Sequence, residues 1–141
     1  MTNMTGIRRG EPSDLKEVAA IQEAAPEAAR WSVSEYPQYH FRVALRGCRI
    51  AGFLVSRPVA EDEWELLNLA VAPEFRRQGI GRDLLASLLT EAPGAIFLEV
   101  RESNRAARNI YKSMGFQEVG RRPGYYENPL EPAIVMKFHS C

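Results

Sequence analysis

Cysteine is nearly absent from this 141-residue sequence. Cys48 and Cys141 are far apart and form no C-x-x-C spacing, which excludes a disulfide framework and a cysteine metal site and fits a reducing cytoplasm. Histidine is equally scarce: His40 and His139 stand alone, and no metal is expected. Net charge is missing as well, since 18 Lys and Arg balance 18 Asp and Glu, so no global field draws the chain to nucleic acid or an anionic membrane, even with 15 arginines among the basic residues. No apolar run approaches the ~18 residues of a membrane span, and the start Met1-Thr2-Asn3-Met4-Thr5 lacks the basic-then-apolar pattern of a signal peptide. Repeats, linkers and low-complexity tracts are absent too. The 45% apolar content fits one domain over residues 1–141 with a real core.

The patterns that are present alternate between strand and helix. Ile7-Arg8-Arg9 reads as a short strand, and Ser13 to Ala25 as a helix behind Pro12-Ser13-Asp14, closed by Pro26. Glu27 to His40 reads as a loop or broken helix because Pro37 interrupts it. Phe41 to Leu45, Arg49 to Val59 and Trp64 to Val71 read as strands joined by hairpin turns at 46–48 and 60–63. A helix from Arg82 to Thr90 and the strand Ala95 to Arg101 follow, and this strand–helix–strand order predicts one parallel pair with both carboxyl ends at the same edge. Ser103-Asn104 should cap a helix ending at Met114, with Gly115 as its left-handed terminator. Phe116 to Arg122 and Ala133 to Phe138 complete the strands, and Pro123 to Pro132, with its three prolines and a glycine, reads as a loop.

Between the strand Trp64–Val71 and the helix after it lies Arg76-Arg77-Gln78-Gly79-Ile80-Gly81. Glycines there let the backbone turn tightly, so that the N–H groups of Gln78 to Gly81 and the positive end of the helix can point at an anion, with a pyrophosphate as the expected guest. Two glycines in a loop are equally consistent with plain turn chemistry. A Walker loop would need G-K-[ST], but Arg82 and Asp83 follow Gly81; a dinucleotide fingerprint would need a third glycine where Leu84 stands. Arg76, Arg77 and Arg82 could reach nucleotide phosphates or simply face solvent. Glu99 interrupts an apolar strand, which marks either an exposed strand end or a working carboxylate. Asn104 and Tyr111, seven apart, would lie on one helical face separated by ~10 Å, with small Ala107 between them.

Arg76, Gly79 and Gly81 match the [QR]-x-x-G-x-[GA] pattern of the GNAT superfamily of acetyl-CoA-dependent N-acetyltransferases, and Tyr111-Lys112-Ser113-Met114-Gly115-Phe116 matches its Y-x-x-x-G-F ending. The whole chain resembles that family. Trp31-Ser32, Asn68-Leu69-Ala70-Val71, Leu98-Glu99-Val100-Arg101, Tyr125-Tyr126 and Ala133-Ile134-Val135-Met136 resemble its RimI type, the ribosomal-protein alanine N-acetyltransferases. Arg30 and Pro132 depart from that type, where proline and aspartate are common, which bears on the acceptor loops.

The resemblance implies an α/β (α+β) GNAT fold: a mixed, mostly antiparallel twisted sheet with a central parallel pair and flanking helices. It also implies acetyl-CoA contacts from Leu69, Ala70 and Val71, from Arg76, Arg77, Gln78, Gly79, Ile80, Gly81 and Arg82, and from Asn104, Ala107 and Tyr111. Acetyl transfer to an amine needs a proton acceptor, an oxyanion donor and a proton for the thiolate. Glu99 is the candidate base, directly or through water, Tyr111 the candidate acid, and a main-chain N–H near Val71 the candidate oxyanion donor. Trp31, Ser32, Tyr125 and Tyr126 sit where they could wall a slot for a peptide's first residues or serve packing. The expected acceptor is a protein N-terminus, possibly of a ribosomal protein. A small amine, a Lys side chain or a non-catalytic acyl-CoA-binding module remain alternatives, and a monomer or weak homodimer without nucleic-acid or membrane partners is expected.

Overall fold

The computed structural model describes residues 5–25, 31–92, 94–127 and 129–139. Its strands and helices run in the order β1 (Thr5–Arg9), α1 (Leu15–Glu23), β2 (His40–Arg46), β3 (Arg49–Ala60), β4 (Glu63–Val71), α2 (Ile80–Glu91), β5 (Ala95–Arg101), α3 (Arg105–Ser113), β6 (Gln117–Tyr126) and β7 (Glu131–His139). Short 3-10 helices cover Pro12–Asp14, Val33–Gln38 and Pro73–Phe75. The closing role of Pro26, the departure at Arg30 and the thiol of Cys141 fall outside the described residues.

The seven strands form one mixed sheet in the order β1-β2-β3-β4-β5-β7-β6. Its ladders are antiparallel at β1–β2, β2–β3, β5–β7 and β6–β7 and parallel at β4–β5, as the strand–helix–strand pattern requires. The parallel ladder runs from Glu63↔Ala95 to Glu65↔Phe97. By contact density the chain divides into two compact units, the described residues of Met1–Arg57 with Leu67–Glu91 and those of Pro58–Leu66 with Ala92–Cys141.

In the first unit, α1 forms where Leu15, Val18 and Ile21 recur at helical spacing, and Val18 and Ile21 go into a core with Tyr36, Phe41, Val43, Phe53 and Val55. Asp14 anchors its start, accepting the Glu11 N–H and a two-pronged contact from Arg8 at 2.8 and 2.9 Å, which holds the carboxyl below its usual range. Helix α2 buries Ile80, Leu84, Leu85 and Leu88. It is tied to β2 by the buried Arg42, which donates to Ser87 Oγ at 2.9 Å and Glu91 Oε2 at 2.8 Å.

In the second unit the β5 and β7 side chains alternate. Ile96, Leu98, Val100, Ile134 and Met136 are buried, while Phe97, Glu99, Arg101, Val135 and Lys137 are only half-buried. Tyr111 at the end of α3 packs at a tilt against Phe116, ring centroids 5.6 Å apart, and Phe116 against Phe138 of β7 at 5.5 Å.

One segment differs from its sequence reading. Pro123 to Tyr126 is strand rather than loop: β6 continues to Tyr126, with a register shift between Arg122↔Ala133 and Tyr126↔Glu131. Strand β6 is the last strand of the sheet, where a proline forfeits no ladder bond and an irregularity absorbs it. Tyr125 and Tyr126 are therefore fixed on a strand end, and Pro132 lies inside β7, where its carbonyl accepts the Glu102 N–H at 3.1 Å.

The junction into β5 depends on Gly94. Its φ is +83°, and a Cβ there would stand 2.0 Å from the Asp62 carbonyl oxygen, which also accepts the Ala95 N–H at 2.8 Å. Gly94→Ala is expected to lower stability by more than about 1 kcal/mol, read as a lower denaturation midpoint with an unchanged slope. An unchanged midpoint would contradict this packing.

Candidate active site

The glycine turn belongs to the first unit. Two of its residues adopt left-handed backbone, Arg77 at φ +64° and Gly79 at φ +79°. For a non-glycine such as Arg77 that conformation costs about 1 kcal/mol, the kind of strain that persists where a backbone shape is needed. The first helical bond of α2 runs from the Asp83 N–H to the Gly79 carbonyl at 3.0 Å, so the amides of Ile80 and Gly81 precede the helical ladder. A Cβ built on Gly79 meets nothing within 4 Å, and one on Gly81 meets only Val71 Cγ2 at 3.7 Å. Exposed backbone at Arg76 to Gly79, early helix amides and open space over a glycine fit a pyrophosphate oxygen set. Arg76 Nε reaches the Val71 carbonyl at 3.4 Å, and Arg77 and Arg82 are exposed. The turn is pressed into place from below, because Gly52 lets Ile80 and Leu84 approach to 3.3 Å of where its Cβ would be and leaves 2.9 Å to the Ala70 carbonyl.

The same unit holds a buried polar network. Tyr36 donates to Gln22 Oε1, Asn68 Nδ2 donates to Gln22 Oε1 and to the Tyr36 oxygen at 3.1 Å each, and Asn68 Oδ1 accepts the Leu69 N–H at 3.0 Å. Burial raises the Tyr36 phenol, with the Asn68 hydrogen bond working against it. Gln22 Nε2 donates to the Trp31 carbonyl at 2.8 Å, and the Trp31 indole N–H donates to the Leu67 carbonyl at 3.1 Å, so an exposed tryptophan is tethered at both ends rather than packed in the core. Ser32 Oγ contacts Ser34 Oγ at 2.9 Å. The sequence reading missed this network. Its one available signal was an asparagine in the middle of an apolar run, which when buried must find partners.

The second unit holds the candidate acid and base. Glu99 on β5 faces the half-buried side, with Oε2 enclosed and without an aligned hydrogen-bond donor; Arg122 Nε stands 3.0 Å away as a contact of charge. The Arg122 guanidinium also lies over the Tyr125 ring at 5.4 Å, and Tyr125 meets Tyr126 edge to face at 5.0 Å. Tyr125 is raised first by burial and then by the Glu99 carboxylate, with Arg122 opposing and Glu65 adding. Tyr126 is pushed up to about 12, by burial first and then by Tyr125 and Glu99. Tyr111 is buried, and burial, with a smaller contribution from Tyr126, drives its phenol far above the ordinary value, so it carries its proton at any neutral pH. Tyr126 thus feels Glu99 and is felt by Tyr111. Asn104 caps α3, its Oδ1 accepting the Ala107 N–H at 3.2 Å, which leaves its amide nitrogen as the group able to serve a ligand. Arg122 was not singled out in the sequence, because only the cross-strand register sets it beside Glu99 and Tyr125.

No His, Cys, Asp and Glu group suited to a metal occurs among the described residues, and no helix there is long and apolar enough to cross a membrane.

A mixed seven-stranded sheet with one parallel pair, a glycine turn opening the intervening helix and a carboxylate on the next strand are the features expected of an acyltransferase of the GNAT class. The chain belongs to the acetyltransferase (GNAT) family, whose profile matches residues 9–116. It is 35% identical over 145 residues to the [ribosomal protein bS18]-alanine N-acetyltransferase of Escherichia coli, covering 94% of this chain and 96% of that one. It is 40% identical over 105 residues to the N-alpha-acetyltransferase RimI of Mycobacterium tuberculosis, covering 72% and 66%. The crystal structure of the ribosomal-protein-S18-alanine N-acetyltransferase from E. coli superposes with a TM-score of 0.84 at 33% identity, over 96% of this chain and 94% of that one. The protein is an acetyl-CoA-dependent N-acetyltransferase.

Tyr36 is 1% exposed and its hydroxyl serves both Gln22 and Asn68. Tyr36→Phe is expected to lower stability by about 1–3 kcal/mol, since buried partners lose a hydrogen bond; an unchanged thermal midpoint would show that the network is not a structural tie.

Proposed function

We propose that this chain transfers acetyl from acetyl-CoA to the N-terminal α-amine of a protein, with a ribosomal protein as the acceptor class. The observation that carries the acceptor is the near full-length similarity to an enzyme named for alanine acetylation of ribosomal protein bS18. Glu99, half-buried beside the two tyrosines of β6, supports the chemistry. An α-amine titrates near ~8 and Lys near ~10.4, so a carboxylate base, acting directly or through water, suffices for the former.

In this reading the amides of Gln78 to Gly81 hold the pyrophosphate, with Arg76, Arg77 and Arg82 toward the nucleotide phosphates, and Leu69, Ala70, Val71, Asn104 and Ala107 line the pantetheine. A β4 amide near Val71 binds the oxyanion. The neutral amine forms the new C–N bond as the C–S bond breaks; Glu99 accepts the amine's proton and Tyr111 donates a hydrogen bond to the departing thiolate, which collects its proton from water. Trp31, Ser32, Tyr125 and Tyr126 wall the acceptor's first residues, and Pro132 shapes the segment behind them. The protein acts in the cytoplasm as a monomer or weak homodimer, as one domain, without nucleic-acid or membrane contact.

Mass spectrometry of alanine-initiated peptides incubated with enzyme and acetyl-CoA should place the acetyl group on the α-amine. Modification of lysine side chains or small amines alone would sink the acceptor assignment. Glu99→Gln and Tyr111→Phe should each lower kcat by about 10²- to 10⁴-fold with little change in acetyl-CoA affinity. Gly79→Val, at φ +79°, should instead raise the acetyl-CoA KM.

A further inference from the structure

We propose that Arg122 is an internal stand-in for the acceptor's α-ammonium, occupying a cation site formed by Glu99 and the Tyr125 ring and yielding it when the peptide binds. The inference rests on the reading of Glu99 as the base.

Three observations carry it. Glu99 Oε2 is enclosed and lacks an aligned donor, although Arg122 Nε stands only 3.0 Å away. The carboxylate has a hydrogen bond with Tyr125, but this oxygen has an ion pair without an aligned hydrogen bond, and a compact ammonium with three rotatable N–H groups can supply one where a rigid guanidinium held from a neighbouring strand does not. Second, the Tyr125 ring already accepts a cation, the Arg122 guanidinium at 5.4 Å, and Glu65 adds negative charge at the same phenol. Third, the holder is loosely held: the Arg122 side chain is 60% exposed while that of Glu99 is 20% exposed, so Arg122 can swing into water without opening the core.

The register explains why the arginine sits there. Glu99 pairs with Val135 on β7, Val135 with Gly120 on β6, and Arg122 is two residues beyond Gly120 on the same face. Gly120 offers no side chain to stand between them, and the guanidinium crosses over to the carboxylate. The neighbouring cations on this face are likewise stacked on rings, Arg101 over Tyr126 at 4.6 Å and Lys137 over Phe97 at 5.2 Å, but Arg101 is also bound to Glu131 at 3.0 Å and to two carbonyls. Arg122 is the cation of the three that lies against the candidate base. The incoming ammonium would replace it, placing the amine that must lose a proton against the group that takes it.

The test is direct binding of an alanine-initiated peptide to the protein saturated with CoA, measured by calorimetry for wild type, Arg122→Gln and Arg122→Lys. The proposal expects Arg122→Gln to tighten the peptide by about two- to fivefold, the scale of an exposed ion pair, Arg122→Lys to return toward wild type, and a peptide with a blocked N-terminus to show no such response. Unchanged or weaker binding in Arg122→Gln, or an equal gain for the blocked peptide, would overturn it. Turnover of Glu99→Gln separates the two readings. If that variant works at the wild-type rate, the base assignment fails whatever the binding data show; if it is inactive and Arg122→Gln does not tighten the free peptide, the displacement alone fails.

Discussion

Parallel pairing between β4 and β5 spans Glu63↔Ala95 to Glu65↔Phe97, although β4 continues to Val71 and β5 to Arg101. Backbone groups beyond that point have to find partners elsewhere or stay open, because a buried amide without one is costly. The consequences are visible along β4. The Leu69 N–H turns to the side chain of Asn68 at 3.0 Å. Asn68 can spare its oxygen because its nitrogen is held by Gln22 and Tyr36, and those two in turn are placed by α1 and by the 3-10 helix over Val33–Gln38. The same buried polar network also fixes Trp31.

The exposed side of β5, β6 and β7 follows a different logic. Its cations are not simply solvated; each is laid on an aromatic ring, and two of them meet carboxylates. Such pairs are individually weak, and the register holds ring faces, carboxylates and cations at fixed spacing.

Much of this was legible in the chain. The glycine turn, the apolar spacing of α2, the Asn104 cap, Gly115 with its positive φ and the parallel pair all rest on local rules that the fold obeys. Pro123 and Gly124 were misread because local rules favour a loop there, while an edge position with a register shift admits a strand. The network of Asn68 and the pairing of Arg122 were not legible for a related reason: they depend on partners 46 residues away, in the case of Gln22, or on another strand, in the case of Glu99. Sequence spacing reveals what a residue's own element needs, and long-range register supplies the rest.

Burial of Tyr111 has two opposed effects on its proposed task. By disfavouring the phenolate it guarantees that the proton is present, and by the same energy it makes that proton harder to give up. A thiol of ordinary acidity titrates near ~8.5 and an ordinary phenol near ~10, so full transfer from a phenol raised still further to a free thiolate runs uphill by more than about 2 kcal/mol. Complete proton transfer is therefore not what this environment favours. What it favours is a strong hydrogen bond to sulfur as negative charge gathers there, in a medium of low dielectric where such a bond gains strength. The thiolate can then leave stabilised and collect its proton from water. In the proposed reading the two residues have unequal duties that suit their settings: Glu99, on the half-buried sheet face, takes up and releases a proton, while Tyr111, sunk in an aromatic cluster, keeps its own.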